Sequence, residues 1–312
     1  MRPRVGRVPI QPPDRPMVVA HRGASHEIAE HTLAAYVAAI DSGADALECD
    51  VRLTRDGHLV CVHDRTVNRT SDARGVVSDF DLDALAAMDF SSWYGPAAGA
   101  GANELPPETA DQLRHDAPYL SGVAPDRVTT EGGVLTLEKL LGLVRDASRP
   151  VRMLIETKHP TRYGGLVEKE LVELLARFGW SGRPGPPESV REPADLTNPV
   201  IVMSFAPTAL RRVKLLAPDV PTVLLMDWMF PGRRDGILPA GVPIAGPGLK
   251  VLRAEPHYVE RAHARGHPVF VWTVDEPADV DYVLGLGVDT VITNRPGQVL
   301  SQLAAHRPKP LP

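Results

Sequence analysis

Two acidic residues and two histidines stand where they could act on one substrate. Glu48 and Asp50 are separated by a single residue within an apolar run, and side chains spaced in this way on a strand point to the same face. His21 closes an earlier apolar run, and His63 closes a later one. Carboxylates bind divalent cations, and imidazoles exchange protons near neutral pH. Together they indicate a metal-assisted attack on a phosphate ester.

A third carboxylate, Glu156, ends another apolar run, with Lys158 close behind it. If all these side chains face the axis of one barrel, three carboxylates converge beside one ammonium group. Packed like charges raise one another's pKa values unless they are neutralised, and a divalent cation with oxygen ligands neutralises them. Because no Cys or His ligand cluster accompanies the acids, Mg²⁺ or Ca²⁺ is favoured over Zn²⁺. A salt-bridge network with Arg52 and Lys158 explains the same spacing equally well.

The histidines suit proton transfer, and the neighbouring cations suit phosphate binding. His21 and His63, on opposite sides of a phosphate, could serve as general base and general acid. Arg22 and Lys158 would contact the phosphoryl oxygens, with Arg able to bind them through two nitrogens. Asp64 either orients a histidine or caps the following turn. Two histidines beside a carboxylate cluster favour catalysis, whereas a single one would indicate a structural residue.

Three further side chains are candidates for substrate contact. Glu30 and His31 precede a helix for which Thr32 is a possible cap, so taken alone they are polar residues at a helix start. Trp272 lies at the end of a predicted strand, and Phe205 follows another. Each aromatic ring forms either an apolar wall of the site or part of the core.

Strand and helix patterns alternate along most of the chain. The predicted strands are Met17–Ala20, Ala46–Leu53, Leu59–His63, Val151–Glu156, Val200–Ser204, Thr222–Met226, Val269–Val274 and Asp289–Thr293. The predicted helices are Thr32–Ser42, Thr136–Asp146, Pro207–Leu216 and Pro277–Leu286. This alternation predicts a parallel α/β sheet. The number of strands and the lack of a Gly-rich dinucleotide loop favour a TIM-type (β/α)8 barrel over a doubly wound sheet. Residues 231–268, including Ile244–Leu249, receive no assignment.

One connection is too short for a parallel crossover. The second and third predicted strands are joined by a short turn that contains Asp56-Gly57, a hairpin signal, whereas a crossover takes about a dozen residues. We therefore expect an antiparallel hairpin between these strands. A hairpin returns His63 to the level of Asp50, so the two residues can share a site.

The expected organisation is one barrel domain with flexible ends. Residues 17–303 form the barrel, and the stretch at about 91–135, with little periodicity, is expected to be a cap-like insertion. Residues 1–16 are rich in Pro and Arg and lack the apolar stretch of a secretory signal. They are expected to form a disordered arm, and residues 304–312 a similar tail.

The composition excludes several classes of partner. Of the 312 residues, 43% are hydrophobic and 23% are charged, as in an ordinary globular protein. The net charge of −5 argues against nucleic acid as the main partner. No apolar run approaches the ~20 residues of a membrane span, so no stable membrane insertion is expected. Cys49 and Cys61 are too few for a disulfide framework, which predicts a cytoplasmic protein. The sequence leaves open whether the protein forms a homo-oligomer.

Several short motifs occur in an order typical of one enzyme family. They are HRGAS at 21–25, EHT at 30–32, ALECDVRLTRDGHLVCVHD at 46–64, LTLEKLL at 135–141, IETK at 155–158, MSF at 203–205 and VFVWTVDEPADVDYVLGLGVDTVITNRP at 269–296. In this order they resemble the glycerophosphodiester phosphodiesterase family. The resemblance implies a TIM barrel that hydrolyses glycerophosphodiesters to glycerol 3-phosphate and an alcohol, using a divalent metal.

The resemblance also implies roles for the candidate residues. Those roles are metal ligation by Glu48, Asp50 and Glu156, acid–base catalysis by His21 and His63, phosphate binding by Arg22 and Lys158, and proximity to substrate for Glu30 and Trp272, with Phe205 in the MSF motif. The chain has Ala29-Glu30-His31-Thr32 where the family usually has Pro-Glu-Asn-Thr, and Asn294 where the family often has Asp. The stretch 91–135 falls where the family inserts a segment of variable sequence.

The sequence thus predicts a metal-dependent phosphodiesterase acting on a small glycerophosphodiester. Three alternatives stay open at this point. A related barrel phosphodiesterase or lyase, acting on phosphoinositides or resembling phospholipase D, would use a similar site. A non-catalytic barrel could bind phosphate ligands, although the intact acids and histidines argue against it. A sugar-phosphate isomerase barrel is disfavoured because no Gly-rich phosphate loop occurs late in the chain.

Overall fold

A computed structural model describes four stretches of the chain, residues 13–94, 132–181, 197–229 and 231–306. Most of the predicted arm, the larger part of the predicted insertion and most of the predicted tail lie outside the described residues. Residues 13–16 are described, and there Arg15 forms a salt bridge of 2.6 Å with Asp45. The first strand begins directly after them, at Met17.

Short, buried β-strands form the centre of the molecule. They are β1 (Met17–Ala20), β2 (Ala46–Leu53), β3 (Leu59–Cys61), β4 (Arg152–Thr157), β5 (Val200–Ser204), β6 (Thr222–Met226), β7 (Ile244–Pro247), β8 (Phe270–Val271) and β9 (Thr290–Thr293). Nearly every strand residue is buried, which is typical of parallel strands covered on both faces.

Within the described residues, eight parallel strands follow the order β7-β6-β5-β4-β2-β1-β9-β8. Parallel bridges from Ala245 to Val269 and from Gly248 to Trp272 join the two ends of this order. The sheet therefore closes on itself, and the expected TIM-type barrel is confirmed.

Helices follow most of the barrel strands. They are α1 (Leu33–Asp41), α2 (Leu82–Ala86), α3 (Leu137–Arg145), α4 (Leu166–Arg177), α5 (Pro207–Leu216), α6 (Leu249–Ala254), α7 (Tyr258–His263), α8 (Pro277–Leu286) and α9 (Pro296–His306). Thr32 caps α1 by accepting a hydrogen bond from the Ala35 amide, and Thr136 caps α3 by accepting one from the Lys139 amide. Apolar side chains between these helices and the strands form the outer core of the barrel.

The short connection after β2 is the predicted hairpin. β3 pairs antiparallel with β2, with Val51 opposite Cys61. Just beyond β3, the amide of Val62 donates to the Asp50 carbonyl at 3.0 Å. β3 ends at Cys61, earlier than expected, so His63 lies in the loop that follows, close to the level of Asp50.

The structure adds elements that the sequence pattern did not assign. β7 occupies Ile244–Pro247 within the unassigned stretch, and α4 occupies Leu166–Arg177. β7 has the sequence IAGP, which is too short and too rich in Gly and Pro to show a strand pattern. Without β7 the sheet could not close against β8.

Candidate active site

A simple alternation places most of the candidate residues at one end of the barrel. Side chains two residues apart on a strand point to the same side. The barrel interior is filled by residues that include Val19, Ala46, Leu154, Met203 and Phe270. The residues two positions further along these strands are His21, Glu48, Glu156, Phe205 and Trp272. They therefore lie above the apolar interior, at the carboxyl end of the parallel strands, which is where TIM-barrel enzymes have their active sites.

Glu48, Asp50 and Glu156 form a buried acidic cluster at this mouth. One oxygen from each side chain lies within 4.8 Å of the others. Asp50 and Glu156 stand directly opposite each other in the parallel pairing of β2 with β4. The sequence prediction that these three acids converge agrees with this geometry, and the cluster could hold a metal ion.

Two cations lie against the acidic cluster. Lys158 Nζ is 2.9 Å from Glu156 Oε1 and 3.3 Å from Asp50 Oδ1. Arg22 Nε is 3.1 Å from Asp50 Oδ2, and the Arg22 amide donates to Glu48 Oε2 at 2.9 Å. Arg52, the other cation of the salt-bridge alternative, instead donates to the His63 carbonyl. Lys158 and Arg22 thus offset part of the cluster's charge, and Arg52 supports the loop that carries His63.

The remaining charge in the cluster suits a divalent cation. Burial and the charge of Asp50 raise the pKa of Glu48, and burial raises the pKa of Glu156 to about 7. Burial opposes ionisation of Asp50, yet Lys158, His63 and Arg22 hold its pKa well below the usual range. Asp50 Oδ1 is buried and accepts no hydrogen bond. Oxygen donors arranged in this way fit Mg²⁺ or Ca²⁺.

His21 is held at the end of β1 by an amide side chain. Its Nδ1 lies 2.7 Å from Asn294 Oδ1. The Asn294 amide nitrogen donates to Asp275 Oδ2 at 2.7 Å, which leaves Oδ1 as the acceptor for His21. His21 therefore donates through Nδ1, and its Nε2 lies 4.0 Å from Glu48 Oε2. Burial and the charge of Arg22 lower the pKa of His21 to about 3.

His63 is held by the carboxylate that follows it in sequence. Its Nδ1 donates to Asp64 Oδ1 at 2.7 Å. Burial and the charge of Arg22 lower the pKa of His63 to about 4, while the charge of Asp50 acts in the opposite direction. His21 Nε2 lies 4.0 Å from Glu48 Oε2, and His63 directly follows Val62, whose amide donates to the Asp50 carbonyl, so both histidines stand close to the acidic cluster.

A residue that sequence reasoning missed connects His63 with Glu30. Arg69 is buried and donates to both oxygens of Glu30, at 2.8 and 2.6 Å, and to Asp64 Oδ2 at 2.8 Å. Glu30 is also buried, and its Oε1 lies 3.2 Å from Arg22 Nη1. The Arg69 guanidinium thus holds both Asp64, which orients His63, and Glu30, which contacts Arg22. Arg69 lies in a loop without periodicity, so no pattern in the sequence distinguishes it.

Replacement of Arg69 by Met should destabilise the protein strongly. The substitution leaves two buried carboxylates without their shared cation, and loss of one partner from a buried ion pair typically costs about 3 kcal/mol or more. Urea unfolding would measure this fall in the free energy of unfolding. Arg162→Met is the control, because Arg162 pairs with Asp79 on an exposed surface and its loss should change stability little. Equal effects of the two substitutions would contradict the bridging role of Arg69.

Two aromatic rings are in contact at the barrel mouth. Phe205 follows β5 and Trp272 follows β8, and their centroids are 5.4 Å apart in an edge-to-face arrangement. The Trp272 indole nitrogen donates to the Gly246 carbonyl at 2.8 Å, which fixes the ring. Phe205 remains 40% exposed, so the pair presents an apolar surface to anything bound at the mouth.

The loop after β1 is strained and tightly packed. Arg22 and His31 both have left-handed backbones, with φ of 57° and 58°, a conformation that non-glycine residues seldom adopt. Gly23 has φ of 89°, and a Cβ there would lie 2.7 Å from the Ala35 backbone of α1. Strain of this kind is often retained at functional sites.

Comparison with known proteins identifies the family of this chain. The model of the glycerophosphoryl diester phosphodiesterase family matches residues 21–298. A probable glycerophosphodiester phosphodiesterase 1 of Mycobacterium tuberculosis is 41% identical over 292 residues, covering 94% of each chain. A glycerophosphodiester phosphodiesterase of Bacillus subtilis is 32% identical, covering 91% of this chain and 85% of the relative.

Solved structures share the same fold. An Oleispira antarctica phosphodiesterase in complex with sn-glycerol-3-phosphate superimposes with a TM-score of 0.70 at 20% identity, covering 93% of this chain and 97% of that one. The barrel and the family match define a TIM-barrel phosphodiesterase. This chain belongs to the glycerophosphoryl diester phosphodiesterase family and is an enzyme of that kind. Among its described helices, none is both long enough and apolar enough to cross a bilayer.

Proposed function

We propose that this enzyme hydrolyses small glycerophosphodiesters to glycerol 3-phosphate and an alcohol by acid–base catalysis with His21 and His63. One Mg²⁺ or Ca²⁺ held by Glu48, Asp50 and Glu156 completes the proposed site. The observation that carries the proposal is that three buried acids cluster at the barrel mouth, with His21 Nε2 4.0 Å from Glu48 Oε2 and His63 on the loop beside Asp50. The product bound in the Oleispira structure is of the proposed kind.

The chain's own residues bind the diester and move protons. Arg22 and Lys158 lie beside the acidic cluster and are positioned to bind the phosphoryl oxygens. One imidazole takes a proton from the nucleophile through Nε2, and the other gives a proton to the departing alcohol. A cation, when bound, would supply Lewis-acid stabilisation of the phosphate charge. The proposal allows either water or the substrate's own glycerol 2-hydroxyl as the nucleophile. It also allows either histidine to be the general base, with the other as the general acid.

The remaining candidate residues shape the site around the phosphate. Phe205 and Trp272 supply an apolar wall for the carbon portion of the substrate. Glu30 is engaged by Arg22 and Arg69, so we assign it to holding Arg22 in place for the substrate. The cytoplasmic location, the lack of a nucleic-acid partner and the oligomeric state stay predictions.

Product analysis by phosphorus NMR tests this proposal directly. Glycerophosphocholine, glycerophosphoethanolamine and glycerophosphoglycerol are incubated with the enzyme and Mg²⁺, Ca²⁺ or EDTA. We expect glycerol 3-phosphate from at least one substrate with a cation, and none with EDTA. A cyclic glycerol phosphate as end product would instead indicate a lyase. Binding without turnover of any substrate would indicate a phosphate-binding barrel.

A further inference from the structure

His31 lies directly behind one of the proposed metal ligands. It sits in the loop between β1 and α1 and is only 6% exposed. Its Nε2 is 3.0 Å from Asp50 Oδ2, and its Nδ1 is 2.8 Å from the Tyr36 hydroxyl. Both ring nitrogens are therefore engaged, although the sequence marks His31 only as a polar residue before a helix.

The same contacts connect His31 with a second metal ligand. A carboxylate oxygen accepts hydrogen bonds, so His31 Nε2 is the donor to Asp50 Oδ2. The buried Tyr36 hydroxyl donates to the Glu48 carbonyl at 3.0 Å. His31 thus contacts the side chain of Asp50 directly, and Tyr36, whose hydroxyl lies beside His31 Nδ1, contacts the backbone of Glu48.

These contacts fix which oxygen of Asp50 is offered to the cluster. His31 and Arg22 both lie within about 3 Å of Oδ2, at 3.0 and 3.1 Å. Oδ1 is left without a hydrogen bond, 3.3 Å from Lys158 Nζ. Partners behind a ligand commonly set its orientation, and their loss typically lowers metal affinity about 10- to 100-fold.

The backbone at this position supports a specific role for the imidazole. His31 has φ of 58°, a left-handed conformation that Asn adopts more readily than most other residues. The contacts of both ring nitrogens hold the His31 side chain in this loop.

We infer that His31 is a positioning residue for the metal centre, acting through its hydrogen bond to Asp50. The inference deepens the proposed function and rests on it, since it assumes a cation among Glu48, Asp50 and Glu156. His31 itself touches neither the substrate nor the cation.

Two amide substitutions at His31 test the contacts of its two ring nitrogens separately. The amide nitrogen of Gln reaches the place of Nε2, so His31→Gln retains a donor to Asp50. The shorter Asn amide occupies the place of Nδ1, so His31→Asn suits the backbone but loses that donor. We expect His31→Asn to weaken binding of Ca²⁺ or Mg²⁺ by about 10-fold or more, and His31→Gln to stay within about 3-fold of wild type. Isothermal titration of the cation-stripped full chain measures these dissociation constants.

The outcomes distinguish this inference from the function on which it rests. If the wild type binds neither cation, the proposed metal centre fails. If the wild type binds and His31→Asn binds equally well, only the role of His31 fails. Equal weakening by both amides would exclude the donor to Asp50 as its cause.

Two further variants complete the design. His58→Asn is the matched control, because His58 is exposed on the hairpin turn and should leave cation binding unchanged. If His31→Asn does not fold, Tyr36→Phe decides, since it removes the hydroxyl that holds the ring. That variant should weaken cation binding by about 3-fold or more, and an unchanged affinity would overturn the inference.

Discussion

His63→Ala and His21→Ala, made separately, should each lower kcat by at least about 100-fold while the fold persists. Each ring has its Nδ1 engaged by a partner, Asp64 for His63 and Asn294 for His21. These contacts hold each ring in a fixed orientation, and alanine removes the imidazole to which the proposal assigns a proton transfer. Release of glycerol 3-phosphate measures the loss of turnover.

The control for these variants is another histidine of the same hairpin. His58 lies on the turn between β2 and β3, and its side chain is 53% exposed. His58→Ala should therefore retain wild-type kcat. Circular dichroism and urea unfolding establish that the three variants are folded. A folded His21 or His63 variant with wild-type turnover would remove that residue from the proposed acid–base pair.

The acidic cluster was predictable because it depends on local spacing. The strand period of two places Glu48 and Asp50 on one face, and the same period applies to Glu156. Because parallel strands bring their carboxyl ends to one edge of the sheet, the acids at the ends of β2 and β4 are expected to meet at one mouth of the barrel. The hairpin was predictable for a similar reason, because the connection is too short for a parallel crossover and contains the turn signal Asp56-Gly57, and the two strands do pair antiparallel.

The partners that hold the histidines were not predictable in the same way. His21 and Asn294 are 273 residues apart in sequence, and Arg69 reaches Glu30 from a distance of 39 residues. Such pairs form because β1, β9 and the loop after β3 pack together. Local sequence patterns do not predict this packing. The left-handed backbone of His31 likewise belongs to a folded loop, in which its amide donates to the Arg22 carbonyl, and no pattern in the sequence predicts it.

β7 illustrates a different limit of sequence reasoning. Its four residues, Ile244–Pro247, form a barrel strand because β6 on one side and the β8 region on the other need partners. Gly246 fits there because a Cβ would lie 2.7 Å from a Val223 methyl group. The surroundings, rather than intrinsic propensity, determine that this segment is a strand.

Removal of the divalent cation should lower the hydrolysis rate more than any other change, by at least about 1000-fold. A bound cation stabilises transition-state charge by several kcal/mol, which corresponds to factors of this size. Glu156→Gln should have a comparable effect, because it retains the shape of the side chain but removes the negative charge of a ligand. EDTA treatment followed by re-addition of Mg²⁺ or Ca²⁺ measures the first effect, and kcat at saturating cation measures the second.

Thermal unfolding separates loss of the cation from loss of the fold. A ligand that binds only the native state raises its stability, so Mg²⁺ or Ca²⁺ should raise the Tm of the wild type. It should not raise the Tm of Glu156→Gln, whose side chain has lost its charge. Glu173→Gln is the matched control, because Glu173 is exposed on α4 and pairs with Lys169, so this variant should keep both the rate and the Tm shift. Full activity of the wild type in EDTA would leave the buried acids as a structural network neutralised by Lys158 and Arg22, since no cation would then be needed to explain either charge or catalysis.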